Sequence, residues 1–213
     1  MKILVTGFEP FGGEKINPAL EVVKRLRHEI SGAEVIKLTV PVVFRKSIEV
    51  VTNTICELEP DYVLSVGQAG GSADLSVERV GINIDDARIS DNDGQQPIDT
   101  PIDPEGLPAF FATIPVKAIV QAIREERIPV RVSYTAGTFV CNHLMYGVLN
   151  HIYKNKLNIK AGFIHIPFVQ EQVTNRTGIP SMPIEVLIKA IETAIGVIVT
   201  TDEDIKTAEG YIY

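Results

Sequence analysis

Glu34-Val35-Ile36-Lys37-Leu38-Thr39-Val40-Pro41, then Val43 to Leu58, then Tyr62-Val63-Leu64-Ser65-Val66 form the stretch that decides the fold. The first segment reads as a strand that Pro41 ends, because proline cannot donate to a strand ladder. Val43–Leu58 reads as a helix with apolar periodicity, and Cys56 within it reads as a packing residue. Tyr62–Val66 is a short apolar run of the kind a fully buried strand shows. The same alternation continues on both sides. Lys2–Thr6 is a first strand. Asn17 caps a helix with Pro18 at its first position, running to about Glu29. Pro115–Arg127 is a helix, Val130–Tyr134 a strand, Asn142–Lys154 a helix, Ala161–Ile166 a strand and Pro183–Val197 a last helix. Such a series predicts one α/β domain over residues 1–213, an α/β/α sandwich with a mostly parallel central sheet. The stretch from Ile89 to Leu107 is rich in Asp, Pro, Gly and Gln and reads as a long loop, a feature that is often functional in compact domains.

Composition bounds the function. At 213 residues the chain can bury a full core, and 45% hydrophobic residues support a globular fold. A net charge of −7 argues against nucleic acid and anionic membranes as partners. No apolar run reaches membrane-span length, and the Met1-Lys2-Ile3-Leu4-Val5 start reads as a strand rather than a signal peptide. Two cysteines do not make a disulfide framework. The expected location is cytoplasmic.

Cys141 is the residue with the strongest chemical signal. A β-rich run from Pro129 to Tyr134 leads into the small-residue turn before it, and a helix-like stretch follows from Asn142. Unpaired N–H groups and the positive dipole end at a helix start favour a thiolate and could hold an oxyanion. The bland alternative is a free cysteine packed as a small hydrophobe. A nucleophilic cysteine needs a base, and the base an orienter. Of the four histidines, His28 follows a run of charges in a surface helix. His143 and His151 lie in the helix after Cys141. His165 closes the apolar strand Ala161-Gly162-Phe163-Ile164-His165-Ile166, and strand ends carry sites in parallel sheets. A core histidine bonded to a carbonyl fits His165 equally well. Glu78 lies in the strand-like Leu75 to Asn83, where it could orient an imidazole, while Glu78-Arg79 also reads as a plain surface charge pair.

Two phosphate motifs and a metal site fail. Gly7 to Lys15 lacks the Gly-Lys-Ser/Thr order of a P-loop, and Gly67-Gln68-Ala69-Gly70-Gly71 does not fit a dinucleotide fingerprint. Cys141, His143 and His165 are ligand types, but a Cys-x-His pair lacks the paired spacing of zinc sites.

Three blocks resemble the pyroglutamyl peptidase I (pyrrolidone-carboxylate peptidase) family of cysteine exopeptidases. They are Gly7-Phe8-Glu9-Pro10-Phe11-Gly12-Gly13 with Asn17-Pro18; Gly67 to Gly71 through Glu78-Arg79-Val80 and Asn83, with Asp86-Ala87-Arg88 and Asp91-Asn92; and Ser133 to Asn142 with Gly162 to Pro167. The resemblance implies that Glu78, Cys141 and His165 are catalytic, that Arg88 and Gln68 support the transition state, and that Phe8, Phe11, Asn17, Phe139 and Val140 bind the substrate ring. It implies no cofactor and no metal, N-terminally pyroglutamylated peptides as substrates, and a homo-oligomer, a tetramer in the family pattern. Ser72, Gly81 and Ser90 depart from that pattern, none at a catalytic position. The alternatives are a non-catalytic lactam-binding protein on the same fold and, by fold analogy alone, a phosphorylase-type enzyme.

Overall fold

Strand β1 (Lys2–Phe8) is buried along almost its whole length, because helices cover both faces of the sheet it belongs to. The structure is a computed structural model, and it describes residues 1–210. The expected domain runs on through residues 211–213, which lie outside those described. After β1 come α1 (Pro18–Arg25), β2 (Glu29–Ile30), β3 (Ala33–Val40), α2 (Lys46–Leu58), β4 (Tyr62–Gln68), β5 (Leu75–Glu78), β6 (Val80–Ile82), β7 (Ala109–Phe111), α3 (Val116–Glu125), β8 (Val130–Ser133), α4 (Val140–Lys154), β9 (Lys160–Ile166), α5 (Gln170–Val173) and α6 (Ile184–Thr200).

Seven strands form one sheet in the order β2-β3-β1-β4-β9-β5-β8. Neighbours from β3 to β9 run parallel. β5 and β8 are parallel to each other, but β5 is antiparallel to β9, as β2 is to β3. The mostly parallel α/β/α sandwich is therefore as expected. One core layer packs α1, α3 and α6 on one face through Val22, Ile119, Ile123, Leu187 and Ile191. The other packs α2 and α4 on the opposite face through Val51, Ile55, Leu144 and Val148.

Several boundaries differ from the sequence reading. The first helix ends at Arg25 rather than near Glu29, because Leu26 turns extended and its N–H closes back on Val23; Glu29–Ile30 is a strand and His28 is exposed beyond the helix. α2 begins at Lys46 rather than Val43, because Arg45 has φ 63° and ψ −50°, outside the helical region. The single strand expected from Leu75 to Asn83 is two strands in two sheets, with Arg79 between them. The helix expected from Asn142 starts at Val140, so Cys141 lies inside its first turn. Cys56 is exposed and not a packing residue, since it falls on the outer side of α2.

Two features of the fold were not legible. Residues after α6 strap α3: Asp204 accepts the amides of Lys117 and Ala118 at 2.9–3.1 Å, and its carboxylate also meets Arg79. Pro115 offers that helix no side-chain cap, so Asp204 supplies the missing acceptor. At Gly81 a Cβ would lie 3.0 Å from the Tyr146 nitrogen, so β6 rests against α4 at a separation that suits glycine.

Candidate active site

Register brings Glu78 and His165 together. Ser76 stands opposite His165 across the antiparallel β5–β9 pair. Side chains alternate faces along a strand, so Glu78 shares the face of Ser76 and is the diagonal neighbour of His165. Glu78 Oε1 lies 2.8 Å from His165 Nδ1, and the carboxylate is only 1% exposed. On the other side of His165 stands Gly67 of β4. A Cβ there would lie 3.1 Å from His165 Cδ2 and 2.7 Å from Phe163, so glycine makes room for both rings. Phe163 lies under the imidazole with ring centres 4.7 Å apart. Glu78 is thus a buried carboxylate against the imidazole rather than a surface charge, and His165 a histidine bonded to a carboxylate rather than to a backbone carbonyl.

Cys141 comes to His165 from α4. Its side chain hydrogen-bonds His165. It occupies the second helical position, after the N-cap Phe139, which offers no side-chain acceptor. The first intrahelical bond there runs from His143 N–H to the Phe139 carbonyl, so the amides of Val140 and Cys141 lack helical partners. They and the helix dipole make an anion-stabilising end beside the thiol. Asn142 fixes this end: its carbonyl accepts from Ile82 N–H at 2.9 Å, and its amide donates to the Ile82 and Ile84 carbonyls at 2.9 and 3.0 Å. Its place directly after Cys141 was the only sequence signal for that role.

Burial pulls the His165 pKa down, but the charge of Cys141, its hydrogen bond and the Glu78 carboxylate outweigh it and push the value up to about 10. Its surroundings therefore favour the protonated imidazole. The folded value lies above the ordinary 6.5, so protonation stabilises the fold fully below pH 6.5, and this contribution is lost as pH rises through about 10. The alkaline limb of kcat/KM should follow the same group and fall near pH 10. An alkaline limb that falls near neutrality instead would remove the ion pair from the chemistry.

The aromatic positions gather on the same face. Phe8 is buried against Phe163, ring centres 6.3 Å apart. Phe11 and Phe139 face each other at 6.0 Å, both partly exposed. Val140 is fully buried. Asn17 is committed at both ends, accepting from Ala19 N–H and donating to the Glu9 carbonyl, each at 3.0 Å, so it shapes the loop that carries Phe11. The Gln68 carbonyl oxygen accepts from Gln172 at 2.9 Å, which leaves its NH2 end for another partner. Arg88 is exposed and forms no hydrogen bond or ion pair with the described residues. Its segment is held next to the helix start, since Asp86 exchanges two hydrogen bonds with Thr138.

A second thiol–imidazole pair sits elsewhere. Cys56 Sγ lies 3.9 Å from His151 Nε2, beside a cavity of about 440 Å³ lined also by Glu59 and Asp61. Burial lowers the His151 pKa. Cys56 lies on the last turn of α2, where the dipole and nearby carboxylates oppose a thiolate. His151 is flanked by Asn155 rather than by a carboxylate. His143 is also outside the Cys141 site: its Nδ1 meets Asp85 at 2.8 Å and its Nε2 accepts from Arg45 N–H at 2.7 Å, so neither nitrogen is available for a metal shared with Cys141.

Comparison with known proteins agrees with this geometry. Residues 1–201 match the family described as pyroglutamyl peptidase. The chain is 66% identical to pyrrolidone-carboxylate peptidase 2 of Caldanaerobacter subterraneus subsp. tengcongensis over 93% of this chain and 97% of that protein. It is 54% identical to the pyrrolidone-carboxylate peptidase of Clostridium perfringens over the whole of both chains. The crystal structure of pyroglutamyl peptidase I from Bacillus amyloliquefaciens superposes with a TM-score of 0.94 at 44% identity, covering 97% of this chain and 99% of that one.

Proposed function

The chain belongs to the pyroglutamyl peptidase family, and we propose that Cys141, His165 and Glu78 carry out its removal of N-terminal pyroglutamyl residues from peptides. The observation that carries this assignment is the imidazole of His165, with Glu78 at 2.8 Å from its Nδ1 and the Cys141 side chain also hydrogen-bonded to the ring. The Cys141 thiolate attacks the pyroglutamyl carbonyl. The Cys141 amide, with Arg88 brought in from its exposed loop, stabilises the oxyanion. His165 gives its proton to the leaving amine, and a thioester remains. Water then attacks the thioester, His165 accepts its proton, the C–S bond breaks, and the thiolate–imidazolium pair returns. Glu78 holds the ring in one tautomer throughout. The residues need no cofactor or metal for these steps.

The first residue of such a substrate is a neutral lactam. Phe11 and Phe139, in contact with each other, form an apolar wall suited to its ring, with Phe8 and Val140 in the same cluster, and Asn17 sets the loop. We assign the NH2 end of Gln68, which the bond from Gln172 leaves open, to the lactam carbonyl rather than to the oxyanion. The whole chain acts as one catalytic domain. No helix among the described residues is long and apolar enough to cross a membrane. A reduced thiol nucleophile supports residence in the cytoplasm. The exposed Phe111, Tyr153 and Leu107 support assembly into a homo-oligomer, a tetramer by the family pattern.

Release of a chromogenic amine from pyroglutamyl and prolyl amides tests the pocket. The prolyl amide has the ring but carries an ammonium and lacks the lactam carbonyl. A desolvated pocket rejects the charge and leaves Gln68 unpaired, so kcat/KM should favour pyroglutamyl by about a thousandfold or more. Phe11→Ala should lower pyroglutamyl kcat/KM by roughly 10- to 100-fold through lost apolar contact. Comparable rates on the two amides would show that the pocket lies elsewhere.

A further inference from the structure

We propose that Asp85, His143 and Asp91 are positioning residues for the ring pocket: they hold a strained turn at Phe44–Arg45, and Phe44 in turn fixes Phe139. This rests on the reading of Phe139 as a pocket wall. Arg45 has φ 63° and ψ −50°, and Lys46 N–H donates to the Phe44 carbonyl at 2.7 Å. That is a γ-turn with positive φ at its centre, a rare and strained form for a residue with a Cβ. Such strain persists only where the surroundings over-determine it.

Both amides of the turn are held by carboxylates, one directly and one through a ring. Asp91 Oδ2 accepts from Phe44 N–H at 2.9 Å. His143 Nε2 accepts from Arg45 N–H at 2.7 Å. A backbone N–H can only donate, so the ring proton is on Nδ1, where it donates to Asp85 at 2.8 and 3.0 Å. Asp91 is itself locked by the amides of Asp93 and Gln95 and by the Gln95 side chain. Asp85 is tied into the long loop by its bridge to Thr100. The Phe44, Asp85, Asp91 and His143 side chains are all buried, and the two acids would be costly there without these bonds.

The braced side chain meets the pocket. The Phe44 ring stands edge-on to Phe139, with centres 5.4 Å apart and planes at 89°, and equally to His143 at 5.2 Å and 89°. Phe139 therefore has Phe11 on one side and Phe44 on another. His143 shares α4 with Cys141, so the pocket wall and the nucleophile are set by one helix. The long loop also reaches the other wall, since the Asn92 amide donates to the Pro10 carbonyl at 3.0 Å, next to Phe11. The three residues act on substrate fit, through Phe44, and not on the thiol.

Steady-state kinetics on the chromogenic pyroglutamyl amide, with Cys141 alkylation by iodoacetamide as a parallel readout, test this. His143→Leu is expected to raise KM about tenfold or more while kcat and the alkylation rate change by less than about threefold. His143→Gln offers a donor and an acceptor on one planar group and should recover most of the KM. Phe44→Leu leaves the three polar residues in place and should raise KM in the same way; it decides the matter if His143→Leu does not fold. Wild-type KM in either folded variant overturns the proposal. So does a His143→Leu defect that falls equally on kcat and alkylation, because that marks damage to the Cys141 helix. A wild-type chain that fails to cleave the amide overturns the pyroglutamyl reading, and this inference with it.

Discussion

Cys141→Ser should abolish hydrolysis of pyroglutamyl amides, with a loss of about ten-thousandfold or more in kcat. The change is nearly isosteric, so the fold should persist and the melting temperature should stay close to that of the parent chain. The loss comes from chemistry. A hydroxyl at the start of α4 does not ionise beside His165 as a thiol does, and the imidazolium is left without the thiolate that helps hold its proton. Cys56→Ser is the control, since that thiol lies at the C-terminal end of α2, against an uncharged partner. It should keep substantial activity. An active Cys141→Ser beside a dead Cys56→Ser would exchange the two assignments.

His165→Ala should cost about as much, roughly ten-thousandfold, because it removes both the proton acceptor for the thiol and the donor for the leaving amine. Glu78→Gln is the more informative change. Glutamine fits the space and can keep a bond to the ring, so a smaller loss of roughly 10- to 1000-fold is expected. That loss measures the carboxylate's stabilisation of the imidazolium. Glu78 Oε2 is buried without a hydrogen-bond partner, and the substituted amide would bring an unmet donor to that place. Some loss of thermal stability should therefore accompany the kinetic effect. Kinetics indistinguishable from the parent would mean that Glu78 takes no part in catalysis.

The series of strands and helices was legible because the interior strands are short and largely apolar, the longer helices are amphipathic, and Asn17-Pro18 marks the start of α1. Lys2–Phe8 and Tyr62–Gln68 needed only periodicity. What was not legible depended on pairing partners far away in the chain. The direction of β5 against β9 follows from where β9 inserts, which nothing between Leu75 and Glu78 records. The same insertion turns Glu78-Arg79 from an apparent surface pair into a buried carboxylate against His165 and a partner of Asp204. Cys141 and His165 could be proposed from turn and strand-end position alone, yet Glu78 needed the family resemblance. Asp85 and His143, 58 residues apart, had no local signature at all. Cys56 misled for the opposite reason: helical periodicity was present, but the residue falls just outside the buried stripe.

The position of β9 has a consequence for how activity is acquired. It is the last strand among the described residues, yet it lies inside the sheet, between β4 and β5. His165 is on it, 87 residues from Glu78 in sequence, and loops of that span close late and slowly. Chains that have ordered only their N-terminal strands possess the thiol helix at most, with no base beside it. Turnover during refolding should therefore appear only once this strand has joined β4 and β5, which refolding kinetics followed with the chromogenic amide would check.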